Sequence, residues 1–298
     1  MQKFMKINGW RFIPPQYILR HGNLGQASTG LPEDIMLRRG VILLLLTACS
    51  WAASFDKPLA TKTVDLGPSK YSSGARAQVR CYYFPGGFMV KEVDLGEKGA
   101  SRLSIIRSKD TVPKCSQTQY KSEMVVNPDE WSGYFKGVKN GLVFFDADDG
   151  WNGGMGFAVY DAKTGKKLFS DSAVGPLSFS DRADKAVAVK YERLIEAQCV
   201  IHKAPSECWQ KIRKDLGLAS EAAPDCKAGY EKSAVALAKG RCQAQNATGP
   251  ACLEKEIGLA REQTDESPSV IVYPAEVVLS ANSVVKPLAG DVRCWPAD

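Results

Sequence analysis

Eight cysteines spread over the last three-quarters of the chain constrain its fold more than any other feature. They are Cys81, Cys115, Cys199, Cys208, Cys226, Cys242, Cys252 and Cys294; a ninth, Cys49, stands apart near the start. No C-x-x-C pair occurs, and His202 is the only histidine beyond His21, so a structural zinc site lacks its usual close pairs of thiolates and imidazoles. An even number of cysteines without metal spacing reads as a framework of four disulfides, which persists only in an oxidising compartment. Local structure suggests the pairing. Cys81 and Cys115 are alone in the N-terminal half and are expected to bond to each other. Cys242 and Cys252 close an αα-hairpin, Cys208 reaches Cys226, and Cys199 joins Cys294 across two strand-like segments.

The export reading has a second, independent source. From Met36 the chain runs Met-Leu-Arg-Arg-Gly and then an apolar stretch from Val41, followed by Ala52-Ala53-Ser54. A basic start, a short apolar run and small residues form the layout of a secretory signal peptide over residues 36–54. The run is shorter than the roughly 20 apolar residues that a bilayer span needs. Residues 1–35 show no sustained periodicity and carry Pro14-Pro15, Gly22, Gly25 and Gly30. They read either as a leader without structural role or as sequence upstream of a true start at Met36. Leu46-Thr47-Ala48-Cys49 resembles a bacterial lipobox. Lipidation at Cys49 would anchor the protein in the envelope, whereas cleavage near Ala52 or Ser54 would give a periplasmic or secreted protein. The second is the preferred expectation.

Charge then loses most of its meaning. The formal +6 comes from 39 Lys/Arg and 33 Asp/Glu; six of the basic and two of the acidic residues lie in 1–54, leaving 33 and 31. A balance of +2 gives no electrostatic ground for a nucleic-acid partner.

Hydrophobic periodicity divides the exported part, residues 55–298, taken as a single domain. Over 75–203 the period is two. Ala77, Val79, Cys81 and Tyr83 share a face; Pro85-Gly86-Gly87 turns the chain; Phe88–Leu95 returns, and Arg102–Arg107 follows. Leu142–Phe145, Gly156–Tyr160 and Lys167–Phe169 form a meander, and Val187 begins a long strand reaching Cys199. Near 204–264 the period becomes helical: Cys208, Ile212 and Leu216 are spaced by four, and helices are expected over 204–216, 225–243 and 250–263, the third with Pro250 in its first turn. Alternation resumes over 268–298. The expected fold is therefore α+β, mainly antiparallel β with a sandwich-like or meander body and a disulfide-stapled helical insertion. The strands on either side of the insertion are expected to share one sheet.

Catalytic signatures are sparse. A Ser-His-Asp triad would have to use His202, which reads as a solvated residue near a strand end. Lys163-Thr164-Gly165, Ser280-Ala281-Asn282 and Ser283-Val284-Val285-Lys286 imitate penicillin-binding motifs, but in reversed order. The serine and lysine of the last sit in a β pattern, where residues three apart face opposite sides. The richest segment is Asp146-Ala147-Asp148-Asp149-Gly150-Trp151-Asn152-Gly153-Gly154. Asp146, Asp148 and Asp149 offer oxygen ligands for calcium, although Gly150 falls where the EF-hand pattern wants an oxygen; no other cofactor is indicated. The same carboxylates would serve a secreted hydrolase if they converged in a pocket. Trp151 is the exposed aromatic candidate, with Asn152 beside it, while Tyr134 and Phe135 read as core. Taken together these features point to a non-enzymatic bacterial envelope protein that binds a protein or a glycan through loops of a rigid β scaffold. A carboxylate hydrolase or a calcium-binding module is the alternative.

Overall fold

The computed structural model describes residues 54–108, 113–182, 186–247 and 249–297. The expected signal segment up to Ala53, including Cys49, lies outside them. Within the described residues two antiparallel meanders follow one another. The first sheet runs β1 (Ala60–Pro68), β2 (Arg76–Phe84), β3 (Phe88–Asp94), β4 (Arg102–Arg107) and β5 (Glu123–Val125) in chain order. The second takes β6 (Gly133–Lys139), β7 (Leu142–Trp151), β8 (Gly154–Asp161), β9 (Lys167–Asp181), β10 (Val187–Glu196) and β11 (Ser269–Val278), with β12 (Val285–Pro287) and β13 (Arg293–Pro296) both pairing with β11. Helices α1 (Pro205–Leu216), α2 (Lys227–Ala244) and α3 (Pro250–Glu266) fall between β10 and β11. Those two strands pair directly, Glu196 opposite Val270 and Ala188 opposite Val278, so the helices are inserted into a continuous sheet.

Alternation explains the layering. In β2, Val79, Cys81 and Tyr83 face one way and Tyr82 and Phe84 the other. The second set meets the other sheet: Phe84, Val90, Leu103 and Ile105 share a core with Val138, Val143, Phe145, Ala158 and Tyr160. A polar stitch crosses the same interface. The irregularity between Phe135 and Gly137 in β6 leaves the Phe135 N–H to donate to the buried Glu92 carboxylate of β3 at 2.7 Å. The opposite face of the second sheet, with Phe144, Phe157, Val189, Ile271 and Tyr273, packs against Cys208, Trp209 and Ile212 of α1 and Tyr230 of α2. Helices α2 and α3 meet each other through small residues, Ala234, Ala238 and Ala260.

The outer face of the first sheet is closed by the segment leading into β5, held by a buried ion pair. Lys91 and Glu123 are both fully buried, with Nζ 2.6 Å from Oε2. Lys91 also donates to Thr118 O at 2.9 Å, while Glu123 accepts from Ser104 Oγ at 2.6 Å and from the Tyr120 N–H at 2.9 Å. Burial pushes the Glu123 carboxyl up, but the hydrogen bonds from Lys91, Ser104 and Tyr120 outweigh it and hold the group below the ordinary glutamate range. Burial lowers the Lys91 ammonium despite its bond to Glu123.

Four disulfides form, two of them as expected: Cys81–Cys115 pins the same outer segment, and Cys242–Cys252 closes the α2–α3 hairpin. The other two correct the sequence reading. Cys199 bonds to Cys208, not to Cys294, and Cys226 bonds to Cys294, not to Cys208. The reason is that β10 ends at Glu196, so Cys199 belongs to the bend into α1. There its carbonyl accepts from Ser269 N, and the first turn of α1 brings Cys208 within a Cα–Cα distance of 6.0 Å. The start of α2 lies against β13, where a Cβ on Gly229 would meet Cys294 O at 2.2 Å, and Cys226 sits 4.8 Å from Cys294 between Cα atoms. Four disulfides point to an oxidising, non-cytoplasmic compartment. Among the described residues no helix is long and apolar enough to cross a membrane.

Candidate functional site

The segment 146–154 forms the end of the β7–β8 hairpin. The pairing shifts between Asp146 and Gly150, which oppose Phe157 and Met155 respectively, so β7 carries two extra residues there and bends. Beyond the bend, Trp151 pairs with Gly154 across Asn152-Gly153. Both turn residues have positive φ, 50° and 81°, which is what a type I′ hairpin demands and what Asn-Gly supplies at least cost. The tip is fastened to the rest of the second sheet. Trp295 Nε1 donates to Asn152 O at 3.1 Å, and Asn152 Nδ2 lies 3.4 Å from Glu196 Oε2. Gly154 is backed by Leu194, whose Cδ1 would be 2.8 Å from an added Cβ, and Leu194 packs with Val270, Val272 and Trp295. Asn152, expected among the binding residues, is 2% exposed and acts as the hairpin's anchor. Trp151 beside it is 47% exposed, and Met155 on the returning strand 38%.

The three carboxylates do not gather. Asp146 Oδ1 takes a 2.6 Å bond from Lys136 Nζ, and its backbone carbonyl accepts from Trp131 Nε1 at 3.3 Å. Asp149 is paired with Lys98, whose hydrogen bond holds the carboxyl below the usual aspartate range. Asp148 packs beside Gly99. Among the described residues no group of three or more His, Cys, Asp or Glu side chains is arranged to hold a metal ion. The neighbouring aromatics are committed too. Trp131 lies over Gly156, the Tyr134 hydroxyl accepts from Gly99 N and donates to Glu97 O, and Phe135 stacks in the intersheet core against Tyr82.

Two polar clusters elsewhere were missed from sequence because their members are far apart in the chain. On the helix-facing side of the second sheet, Tyr191 donates to Asp171 at 2.6 Å, Arg193 Nε lies 2.7 Å from the same carboxylate, and Arg193 Nη1 donates to Tyr273 at 3.0 Å. Burial, and then the Asp171 charge, raises the Tyr191 hydroxyl far above the tyrosine range. These contacts tie β9, β10 and β11 together, although Arg193 Nε, close as it lies to Asp171, makes no hydrogen bond among the described residues. His202 corrects the other expectation. It is mostly buried, its ring 4.2 Å from Tyr230 and its Nε2 3.3 Å from Asp265 Oδ1. Its location just before α1, against Tyr230 of α2 and Asp265 of α3 and not at a solvated strand end, explains the burial. The Tyr230 hydroxyl donates to Ser267 O and contacts Ser269 Oγ, and His202 Nδ1 is buried without a hydrogen-bond partner among the described residues. No serine hydroxyl is bonded to that imidazole among the described residues, and every described cysteine is in a disulfide.

Comparison with known protein families, with curated proteins and with solved structures finds no match to this chain.

Proposed function

We propose that the protein is an exported, disulfide-stabilised bacterial envelope protein of non-enzymatic type, and that the hairpin tip at Trp151 engages its protein or glycan partner. One observation carries this reading: Trp151 stands 47% exposed on a turn that is fastened from beneath by Trp295, Glu196 and the buried Asn152. A large aromatic held outward by a fixed turn gives contact area at low entropic cost, which is the usual character of a binding anchor. Asp149, paired with Lys98, and the exposed Met155, opposite Gly150, belong to the same hairpin. Export rests on the 36–54 segment together with the disulfides. The carboxylate-hydrolase alternative asks for two carboxylates facing one open site, whereas Asp146 and Asp149 are each paired with a lysine.

The test is site-specific photocrosslinking in the native host, with a benzophenone side chain at position 151, at 155, and at the exposed Lys232 of α2 as a control. A discrete adduct from 151 and 155 that is absent from 232 supports the reading, and its sensitivity to protease or to glycosidase identifies the partner class. Equal labelling from all three positions, or none from 151, overturns it.

A further inference from the structure

The near-neutral charge of residues 55–298 hides an uneven division. Residues 55–126, which contain the first sheet and its outer segment, hold twelve of the 33 Lys/Arg but only seven of the 31 Asp/Glu, whereas residues 127–298 hold 21 and 24. The excess gathers on the outer face of the first sheet, the side to which Val64, Val79 and Ile106 point. Lys62 lies on that side, its Nζ 5.7 Å from the centre of the Tyr83 ring. Tyr83 donates to Pro113 O and Cys115 Sγ lies 3.6 Å from Lys62 O, so Lys114, between Pro113 and Cys115, sits over β1 and β2. Lys121 occupies the turn in which Glu123 N donates to Tyr120 O. All three lysines are exposed, and among the described residues none is in an ion pair. Arg102 adds a fourth cation from β4, its Nε 3.4 Å from Glu123 Oε1, so Arg102 and Lys91 share one buried carboxylate. Among the described residues Glu123 is the only carboxylate on this face. Strand alternation turns Asp65, Glu92 and Asp94 to the opposite side, where Arg76 and Arg80 pair with them, and Glu97 lies in the turn between β3 and β4. The exposed residues between Lys114 and Lys121, Gln117, Thr118 and Gln119, are uncharged.

The arrangement of the cations selects the kind of anion. Lys62 on β1 and Lys121 just before β5 stand at opposite edges of a five-stranded sheet, about 19 Å apart at the usual strand spacing. Arg102 is displaced along β4, four residues from the Ile106 that opposes Glu123. The charges therefore neither converge on one point, as the grip on a single phosphate requires, nor follow one line. A two-dimensional spread of positive charge is complementary to a plane of fixed negative charges, and the headgroups of an anionic bilayer form such a plane. Val125, opposite Ser104 on the same face and 40% exposed, supplies an apolar contact at headgroup depth.

We propose that the outer face of the first sheet adsorbs to an anionic lipid surface, with Lys62, Lys114 and Lys121 among the phosphate headgroups. This contact is separate from the Trp151 tip and does not depend on what that tip engages.

The experiment is vesicle co-sedimentation with the oxidised, full exported protein. Vesicles of phosphatidylglycerol mixed with phosphatidylcholine are compared with phosphatidylcholine alone, at low salt and at high salt. Partitioning should rise with the phosphatidylglycerol fraction, be absent from phosphatidylcholine, and weaken at least about tenfold in high salt. Each lysine close to an anionic surface contributes about fivefold, so the triple variant Lys62→Gln, Lys114→Gln and Lys121→Gln should partition about a hundredfold more weakly. A control triple, Lys211→Gln, Lys214→Gln and Lys232→Gln, makes the same change in net charge on exposed positions of α1 and α2 and should stay within about threefold of the unmodified protein. Equal binding to both kinds of vesicle, binding insensitive to salt, or equal losses in the two triple variants would each overturn the proposal. So would capture by soluble long-chain polyphosphate without any binding to vesicles, which would assign the face to a dissolved polyanion. Trp151→Ala should leave partitioning unchanged, so failure here and failure of the hairpin reading are told apart.

Discussion

Replacing Glu123 with glutamine keeps the shape of the side chain and removes one charge from a place with no solvent. Lys91 and Glu123 are 0% exposed, and among the described residues the ammonium donates to Glu123 and to Thr118 O. Breaking such a pair from one side costs about 3–5 kcal/mol, because the surviving charge stays buried without its counterion. Adding Lys91→Met removes that charge. The glutamine oxygen can still accept from Tyr120 N, so the double variant should recover at least about 2 kcal/mol of the loss, a non-additivity of the size expected for residues in contact. Urea unfolding followed by far-ultraviolet circular dichroism measures four proteins: the unmodified chain, Glu123→Gln, Lys91→Met and the double variant. The pH dependence supplies an independent sign. The Glu123 carboxyl is held below its unfolded value, so its contribution is complete above the ordinary glutamate pKa and is lost as pH falls through the depressed one. In the Glu123→Gln variant the remaining lysine has a lowered pKa, so its penalty should shrink as pH rises through that value toward the ordinary lysine range. A single-variant cost below about 1 kcal/mol, or a double variant that loses the sum of the two singles, would refute the reasoning about the buried pair.

Three further outcomes are expected. Replacing Cys226 and Cys294 by alanine opens a bridge of sequence separation 68 and should cost about 4 kcal/mol, against about 2.5 kcal/mol for Cys199 and Cys208, which are nine residues apart. Non-reducing peptide mapping should recover 199–208 and 226–294, and recovery of 199–294 would contradict the assigned pairing. Asn152→Ala loses both the side-chain contact with Glu196 and a residue tolerant of positive φ, and should lower stability by about 1–2 kcal/mol, whereas Asn152→Gly should lose less; equal losses in a denaturant titration would argue against a backbone cause. Calcium at millimolar concentration should leave the melting temperature unchanged, since Asp146 and Asp149 are each neutralised by a lysine; a reproducible rise would restore the calcium reading.

The strands legible in advance were those with one buried face. Val79, Cys81 and Tyr83 alternate with Tyr82 and Phe84 because each set meets a different layer, and period two survives in the residue types. β1 left no such mark: it is an edge strand, exposed along most of its length, and Thr61, Lys62, Thr63 and Asp65 alternate nothing. β5 has three residues, too few for a period, and its Glu123 points into the protein, which no polarity pattern anticipates. The helices were legible from spacing and from prolines in their first turns, Pro205 and Pro250, while the structure adds Gly217 in the left-handed conformation that ends α1. What spacing could not provide was the direction in which α1 leaves the sheet. That direction decides whether Cys208 looks back at Cys199 or forward at Cys226.

The hairpin at 146–154 shows the same limit and how it is overcome. Asn152-Gly153 is itself the strongest local signal for a two-residue turn, and reading it as such would have placed Trp151 at a strand end beside a fixed tip. Reading the carboxylates first drew attention to ligand chemistry, because Asp146, Asp148 and Asp149 are adjacent in sequence. Lys136 comes from β6, the strand paired with β7, and Lys98 from the turn before β4 in the other sheet, so strand pairing supplies the first partner and only the stacking of the two sheets supplies the second. Once each lysine is in place, the charge density of the segment is neutralised locally and its distinctive feature becomes the uncovered indole. The same stacking explains why the indole is uncovered. The first sheet covers the second over β6–β8 through the core around Phe145 and Tyr160, while the hairpin tip reaches on to Leu194, Glu196 and Trp295 of β10 and β13. Its underside is therefore occupied by Asn152, and Trp151 is left facing outward.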